Sequence, residues 1–189
     1  MRSISPHEIY RKAEVGATAG VIGGIAIVAS LFGIDYYLGA AIGTFYMMIG
    51  VSVGLHGTPA IVFGFIAHML TAATIGTVFC VCSTLHRVLN LTSLRKGIFA
   101  GGITGLEVYA IFFMPITLFL MIPSIDSTIV NSSTSTIQEQ VTASVLKANL
   151  ASIMWGALVL HVFYGSVMGV FSAMMVYEDY KSPTKKIEK

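Results

Sequence analysis

The sequence predicts an all-α integral membrane protein: a four-helix bundle built from two parallel two-helix repeats, with an additional short interfacial or re-entrant helix over about 38–55. Three observations carry this. Of 189 residues, 55% are hydrophobic and 11% charged, against about 25% charged in an average soluble domain. Mean hydropathy is +0.81, and four stretches reach the roughly 20 apolar residues that a spanning helix needs. Small residues recur every four positions at two places in the chain. So few polar residues cannot coat a soluble domain. That excludes a soluble enzyme, a nucleic-acid module and a disordered tail, and a net charge of +2 gives no pull toward a polyanion; no nucleic-acid partner is expected.

The first span runs from about Val15 to Ile34 and ends at Asp35-Tyr36-Tyr37, an aromatic interface signature. It exceeds a signal-peptide core and shows no small-residue cleavage site, so it is expected to remain uncleaved. Leu38 to Leu55 is apolar, studded with glycine and followed by His56-Gly57-Thr58-Pro59. The second span covers about Ala60 to Thr84, the third Gly97 to Ile122 and the fourth Leu150 to Tyr177. Charge decides whether 38–55 counts as a fifth. Arg2, Arg11 and Lys12 precede the first span, Arg87, Arg95 and Lys96 separate the second from the third, and Lys181, Lys185, Lys186 and Lys189 follow the fourth. With four spans these share one face and only Lys147 lies elsewhere, as the positive-inside rule requires. A fifth span would split them.

The expected organisation is therefore a cytoplasmic N-terminus at 1–14, a first repeat at 15–84, a cytoplasmic loop at 85–96, a second repeat at 97–177 with a Ser/Thr-rich outer loop at 123–148, and a basic cytoplasmic tail at 178–189. The expected location is the cell membrane, multi-pass, with both termini cytoplasmic. Asn131-Ser132-Ser133 is a glycosylation sequon on the outer side, whereas Asn90-Leu91-Thr92 falls on the cytoplasmic side and should be silent. The tail can touch anionic lipid. Cys80 and Cys82 lack the further ligands of a metal site and read as buried small hydrophobes.

The duplication is visible in the residues. Gly16, Ala19, Gly20 and Gly24 align with Gly97, Ala100, Gly101 and Gly105 at a shift of 81 residues, each reading G-x-x-A-G-x-x-x-G. His68, Ala72 and Gly76 align with His161, Gly165 and Gly169 at a shift of 93. A longer outer loop in the second half accounts for the difference. Both copies begin on the cytoplasmic side, so the repeat is parallel, unlike the inverted repeats of many carriers. Spacing of four places each set on one helix face, where small residues let backbones approach in lipid. Close packing is the simplest role for all ten: Gly16, Gly20, Gly24, Gly97, Gly101, Gly105, Ala72, Gly76, Gly165 and Gly169.

The G-x-x-A-G helix starts and His-x-x-x-small-x-x-x-Gly helices resemble small four-helix membrane protein families of unknown function from bacteria and archaea. The likeness is clearest at His161-Val162-Phe163-Tyr164-Gly165, similar to their H-x-x-Y-G motif. The second span departs from it, with Thr71 and Ala72 in place of tyrosine and glycine. The resemblance implies a fold and a topology, not an activity.

Three ionisable residues fall near mid-depth of the spans: His68, His161 and Glu107. Such groups are costly in hydrocarbon and mark candidate functional positions. A His–His–Glu set suits a metal ion or a proton relay, while a neutral histidine also serves to pin a helix interface by donating to a carbonyl. Glu107 lies about 15 Å into the bilayer from Gly97 and about 200° around the helix from Gly105, away from the glycine stripe. Its counterpart in the first repeat is Ala26. It therefore points toward a partner helix or a cavity, with Thr104, Tyr109 and the helix-bending Pro115 nearby. His56 and His86 sit at span ends and read as interfacial.

No nucleophile, phosphate-loop, dinucleotide or H-E-x-x-H motif is present. The expected function is a non-catalytic accessory or scaffold subunit of a larger membrane complex, an oxidoreductase complex being one such host. Its partners would be the lipid bilayer and other transmembrane subunits or further copies of the chain. The rival is a small transporter or channel for protons, a metal ion or another small solute lined by His68, His161 and Glu107. A metal-dependent membrane enzyme using the two histidines ranks third. No cofactor is expected, a metal ion at His68 and His161 being the exception considered.

Overall fold

A helix in lipid must satisfy its own backbone, and a chain this apolar has little other choice of structure. The computed structural model describes residues 6–85, 90–130 and 135–181, and these contain helices and connections but no strand. Arg2, His86, Arg87, the Asn131 sequon and the basic residues beyond Lys181 lie outside the described residues. Helix α1 spans Pro6–Tyr37, α2 Thr44–Val51, α3 Gly57–Leu85 and α4 Leu94–Val108. The third span continues through a π-helical segment at Tyr109–Phe113, α5 at Met114–Ile116, a second π-helical segment at Thr117–Met121 and α6 at Ile122–Val130. Helix α7 spans Ile137–Ala148 and α8 Leu150–Lys181.

Four helical runs are long and apolar enough to cross a membrane: Pro6–Tyr37, Gly57–Ser83, Leu94–Val130 and Leu150–Val176. The protein is thus a multi-pass membrane protein. The first and third runs outlast the apolar cores expected from the sequence. Pro6 starts α1 nine residues before Val15, as proline suits a first helical turn where its missing N–H costs nothing. The third run has 37 residues, well beyond what a bilayer needs.

The chain divides into two compact units, one of Met1–Ala26, Leu70–Leu106 and Val162–Lys189, the other of Ile27–Met69 and Glu107–His161. In the first unit, helix meets helix through backbone. A methyl group on Gly16 would fall on the Gly76 carbonyl oxygen and 2.7 Å from Cys80 Cβ; one on Gly20 would fall on the Ala72 carbonyl oxygen. The same holds between α4 and α8. A methyl on Gly97 would strike the Gly169 carbonyl oxygen and lie 2.8 Å from Ala173 Cβ, and one on Gly101 would strike the Gly165 carbonyl oxygen. Gly24 and Gly105 are buried in the same helices. Beside these contacts, Cys80, Leu91, Ala173 and Val176 form an apolar cluster. Cys80 is buried and Cys82 exposed, neither in a disulfide.

The second unit contains the segment at 38–55. Only Thr44–Val51 is helical, about 12 Å long at 1.5 Å per residue, too short to cross. Gly43, at φ 87°, caps its start, and Gly54, at φ 83°, turns the chain after its end. Side chains disfavour both conformations. Tyr46, Met47 and Met48 are fully buried. Glycine again permits close approach, because a methyl on Gly64 would strike the Tyr46 carbonyl oxygen. Asp35 does more than mark an interface. Its Oδ2 accepts from the Gly43 and Thr44 amides at 2.8 and 3.3 Å, capping α2 from a different helix. Its neighbours Tyr36 and Tyr37 are 84% and 88% exposed, as an aromatic belt requires.

The segment at 123–148 differs from the loop expected of a Ser/Thr-rich stretch. It is largely helical, with α6 ending at Val130 and α7 beginning at Ile137. Serine and threonine weaken the local helical signal, but tertiary burial and caps override it. Met121, Ile125, Ala143 and Leu146 cluster with Met48 of α2. Thr136 and Glu139 form a reciprocal capping box on α7. Lys147, the basic residue outside the three clusters, reaches Asp126 at 2.8 Å, an exposed pair of small energetic weight.

Candidate functional site

The residues that carry polar chemistry sit mainly in the second unit. Pro115 cannot donate to the carbonyl four residues back, so the helix must rearrange around it. Here it widens on both sides: the Met114 amide bonds to the Tyr109 carbonyl, five residues back. Such π-helical turns often occur at functional positions. Phe113, Thr117 and Met121 from these turns join Phe45, Ile125, Leu146, Leu150 and Ile153 around a cavity of about 10 Å3. That is room for roughly one water molecule. Thr117 Oγ1 is buried and has no hydrogen-bond partner among the described residues.

The histidines are held by aromatic rings. The His161 Nδ1 lies 2.7 Å from the Ala157 carbonyl oxygen; a carbonyl only accepts, so Nδ1 is the donor in this bond. Phe113 and Tyr109 flank it at centroid distances of 5.1 and 5.8 Å, and the Tyr109 hydroxyl donates to the Met154 carbonyl oxygen at 3.1 Å. His68 lies against Tyr46 at 5.6 Å. Tyr46 in turn meets Phe32, Phe45 and Phe65 edge-on, and Phe45 stacks on Phe113. His161 thus lies between Phe113 and Tyr109, and His68 against Tyr46. Among the described residues no group of three or more His, Cys, Asp or Glu side chains converges.

Glu107 is exposed on α4, and no hydrogen bond or ion pair ties it to another described residue. The exposed Ala110 and Ile111 follow it one turn on.

Tyr164 of the H-x-x-Y-G segment is buried in the first unit, with its hydroxyl donating to the Ala72 carbonyl oxygen at 2.9 Å. Its ring lies over Gly23, where a methyl would come within 2.9 Å of it. A helical carbonyl normally serves its own ladder, so this is an extra bond between α8 and α3.

Sequence reasoning missed one polar centre. Glu139 is fully buried and its carboxylate serves two helix starts at once. Oε2 accepts from the Thr136 amide at 2.9 Å, and Oε1 accepts from the Gly57 amide at 3.0 Å, where α3 begins. His56 Nδ1 lies 3.3 Å from both oxygens. Burial opposes ionisation, yet the two amides and the His56 ring outweigh it and hold the carboxyl below its ordinary value. The helix dipoles at both starts favour the negative charge in the same sense. Thr136-x-x-Glu139 was the readable signal for the cap on α7; nothing local to it points to His56 or Gly57. Comparison with known families, curated proteins and solved structures finds no match to the chain.

Proposed function

We propose that this multi-pass membrane protein is a non-catalytic accessory or scaffold subunit of a larger membrane complex. The carrying observation is Glu107, an exposed carboxyl well inside a long apolar helical run with no partner among the described residues. A charge facing hydrocarbon is costly, and a neighbouring subunit removes that cost. The two glycine seams support a duplicated two-helix unit folded as a four-helix bundle. Gly16 on Gly76 corresponds to Gly97 on Gly169, and Gly20 on Ala72 to Gly101 on Gly165, under the shifts of 81 and 93 residues in the sequence. Glu107 has no counterpart in the first repeat, so duplication and packing leave it unexplained. The basic clusters in the sequence support cytoplasmic termini, with the cell membrane as the proposed location.

Native electrophoresis after mild detergent extraction tests the reading. Co-migration with unrelated membrane subunits is the expected result, and a homo-oligomer alone would overturn it. A second reading, a small transporter, draws on the π-helical turns that bring Phe113 and Thr117 to the small cavity. It predicts that Glu107→Gln leaves assembly intact while proton or metal flux in vesicles is lost; a partner contact through Glu107 predicts weakened assembly instead.

A further inference from the structure

The chain itself restricts what can cover Glu107. Arg95 and Lys96 are the nearest basic residues before it in the sequence, about 17 Å away along the helix at 1.5 Å per residue, beyond side-chain reach. The apolar cores 15–34, 60–83, 97–122 and 150–176 contain no lysine or arginine. A second copy of this chain therefore has no strong cation to offer at the depth of Glu107. Around the carboxyl the exposed surface is apolar, and Ala110 leaves room for another backbone to approach closely.

Resting on the accessory-subunit reading, we propose that Glu107 docks a transmembrane helix of a different protein that carries a lysine or arginine at matching depth. Two opposite charges that are each costly in hydrocarbon become tolerable as a pair. The cation faces Glu107 and a small residue one turn on faces Ala110. The contact sets both register and depth, because displacement by one turn would leave both charges unpaired.

The test uses the purified full chain, donor-labelled and reconstituted in phosphatidylcholine vesicles with acceptor-labelled leucine-alanine transmembrane peptides. The peptides carry Lys, Leu or Glu at their centre. Energy transfer should show the Lys peptide binding about tenfold tighter than the Leu peptide, with the preference lost in Glu107→Leu and reduced in Glu107→Gln. Equal binding of the Lys and Leu peptides would overturn the proposal, as would a Lys preference that survives Glu107→Leu. Self-association through Glu107 that the Lys peptide fails to compete would also overturn it, pointing to two carboxyls sharing a proton. Failure here is separable from failure of the subunit reading. Native complexes with unrelated subunits that persist in Glu107→Leu refute the basic-helix contact alone, whereas a bare homo-oligomer refutes the subunit reading.

Discussion

The two units of this chain differ in what they add to close helix packing. In the first, glycine and alanine set backbone against backbone, as at Gly16 on Gly76 and Gly101 on Gly165. In the second, Gly50 and Gly64 make similar approaches to the Ala60 and Tyr46 backbone, but side chains add further ties: Asp35 caps α2, Glu139 caps α3 and α7, and rings pack against His68 and His161. The first mode depends on the absence of atoms and tolerates no additions. The second depends on particular atoms and tolerates no deletions.

Substitutions can break each mode separately. The largest effect should come from Gly101→Leu, whose side chain would have to displace the Gly165 backbone. Overpacking of this kind costs about 3 kcal/mol or more, read as lost stability against denaturant in bicelles. The control is Gly156→Ala in α8, which has nothing within 4 Å of the added methyl and should be neutral or stabilising by up to about 1 kcal/mol. Equal losses in the two variants would refute the seam.

Next comes Glu139→Ala, which leaves the Gly57 and Thr136 amides and the His56 ring without their acceptor. A loss of about 2 kcal/mol is expected. The same carboxyl gives a pH signature. Its folded value is depressed, so its contribution is present above the unfolded value of about 4.3 and is lost as pH falls through the folded one. Melting temperature should therefore drop more steeply on acidification in the wild type than in Glu139→Gln, and parallel curves would contradict the clamp. The smallest effect is Tyr164→Phe, which removes one interhelical bond to the Ala72 carbonyl and should cost about 1 kcal/mol.

The difference between the modes also explains what could be read from the residues alone. The seams announce themselves because their signal is local and periodic: Gly16, Gly20 and Gly24 mark a face whatever lies opposite. The four spans are legible for the same reason. The second unit is not, since His56 and Glu139 lie 83 residues apart and neither is unusual in its own neighbourhood. Helix α7 was masked by the Ser/Thr-rich stretch that precedes it, although its capping box was readable. Pro115 signalled a bend but not the π-helical form of the turns on either side, Tyr109–Phe113 and Thr117–Met121. Asp35 looked interfacial because its role lies on a glycine turn eight residues ahead.

Glu107 belongs to neither mode: it is exposed and makes no hydrogen bond or ion pair with another described residue. The most direct test is native mass spectrometry from nanodiscs of the wild type and Glu107→Leu, with melting measured on the same samples. The wild type should carry additional, unrelated subunits, and the variant should appear without them at an unchanged melting temperature. An assembly of the same mass in both, or a variant that loses stability along with its partners, would contradict Glu107 as a contact made for assembly rather than for folding.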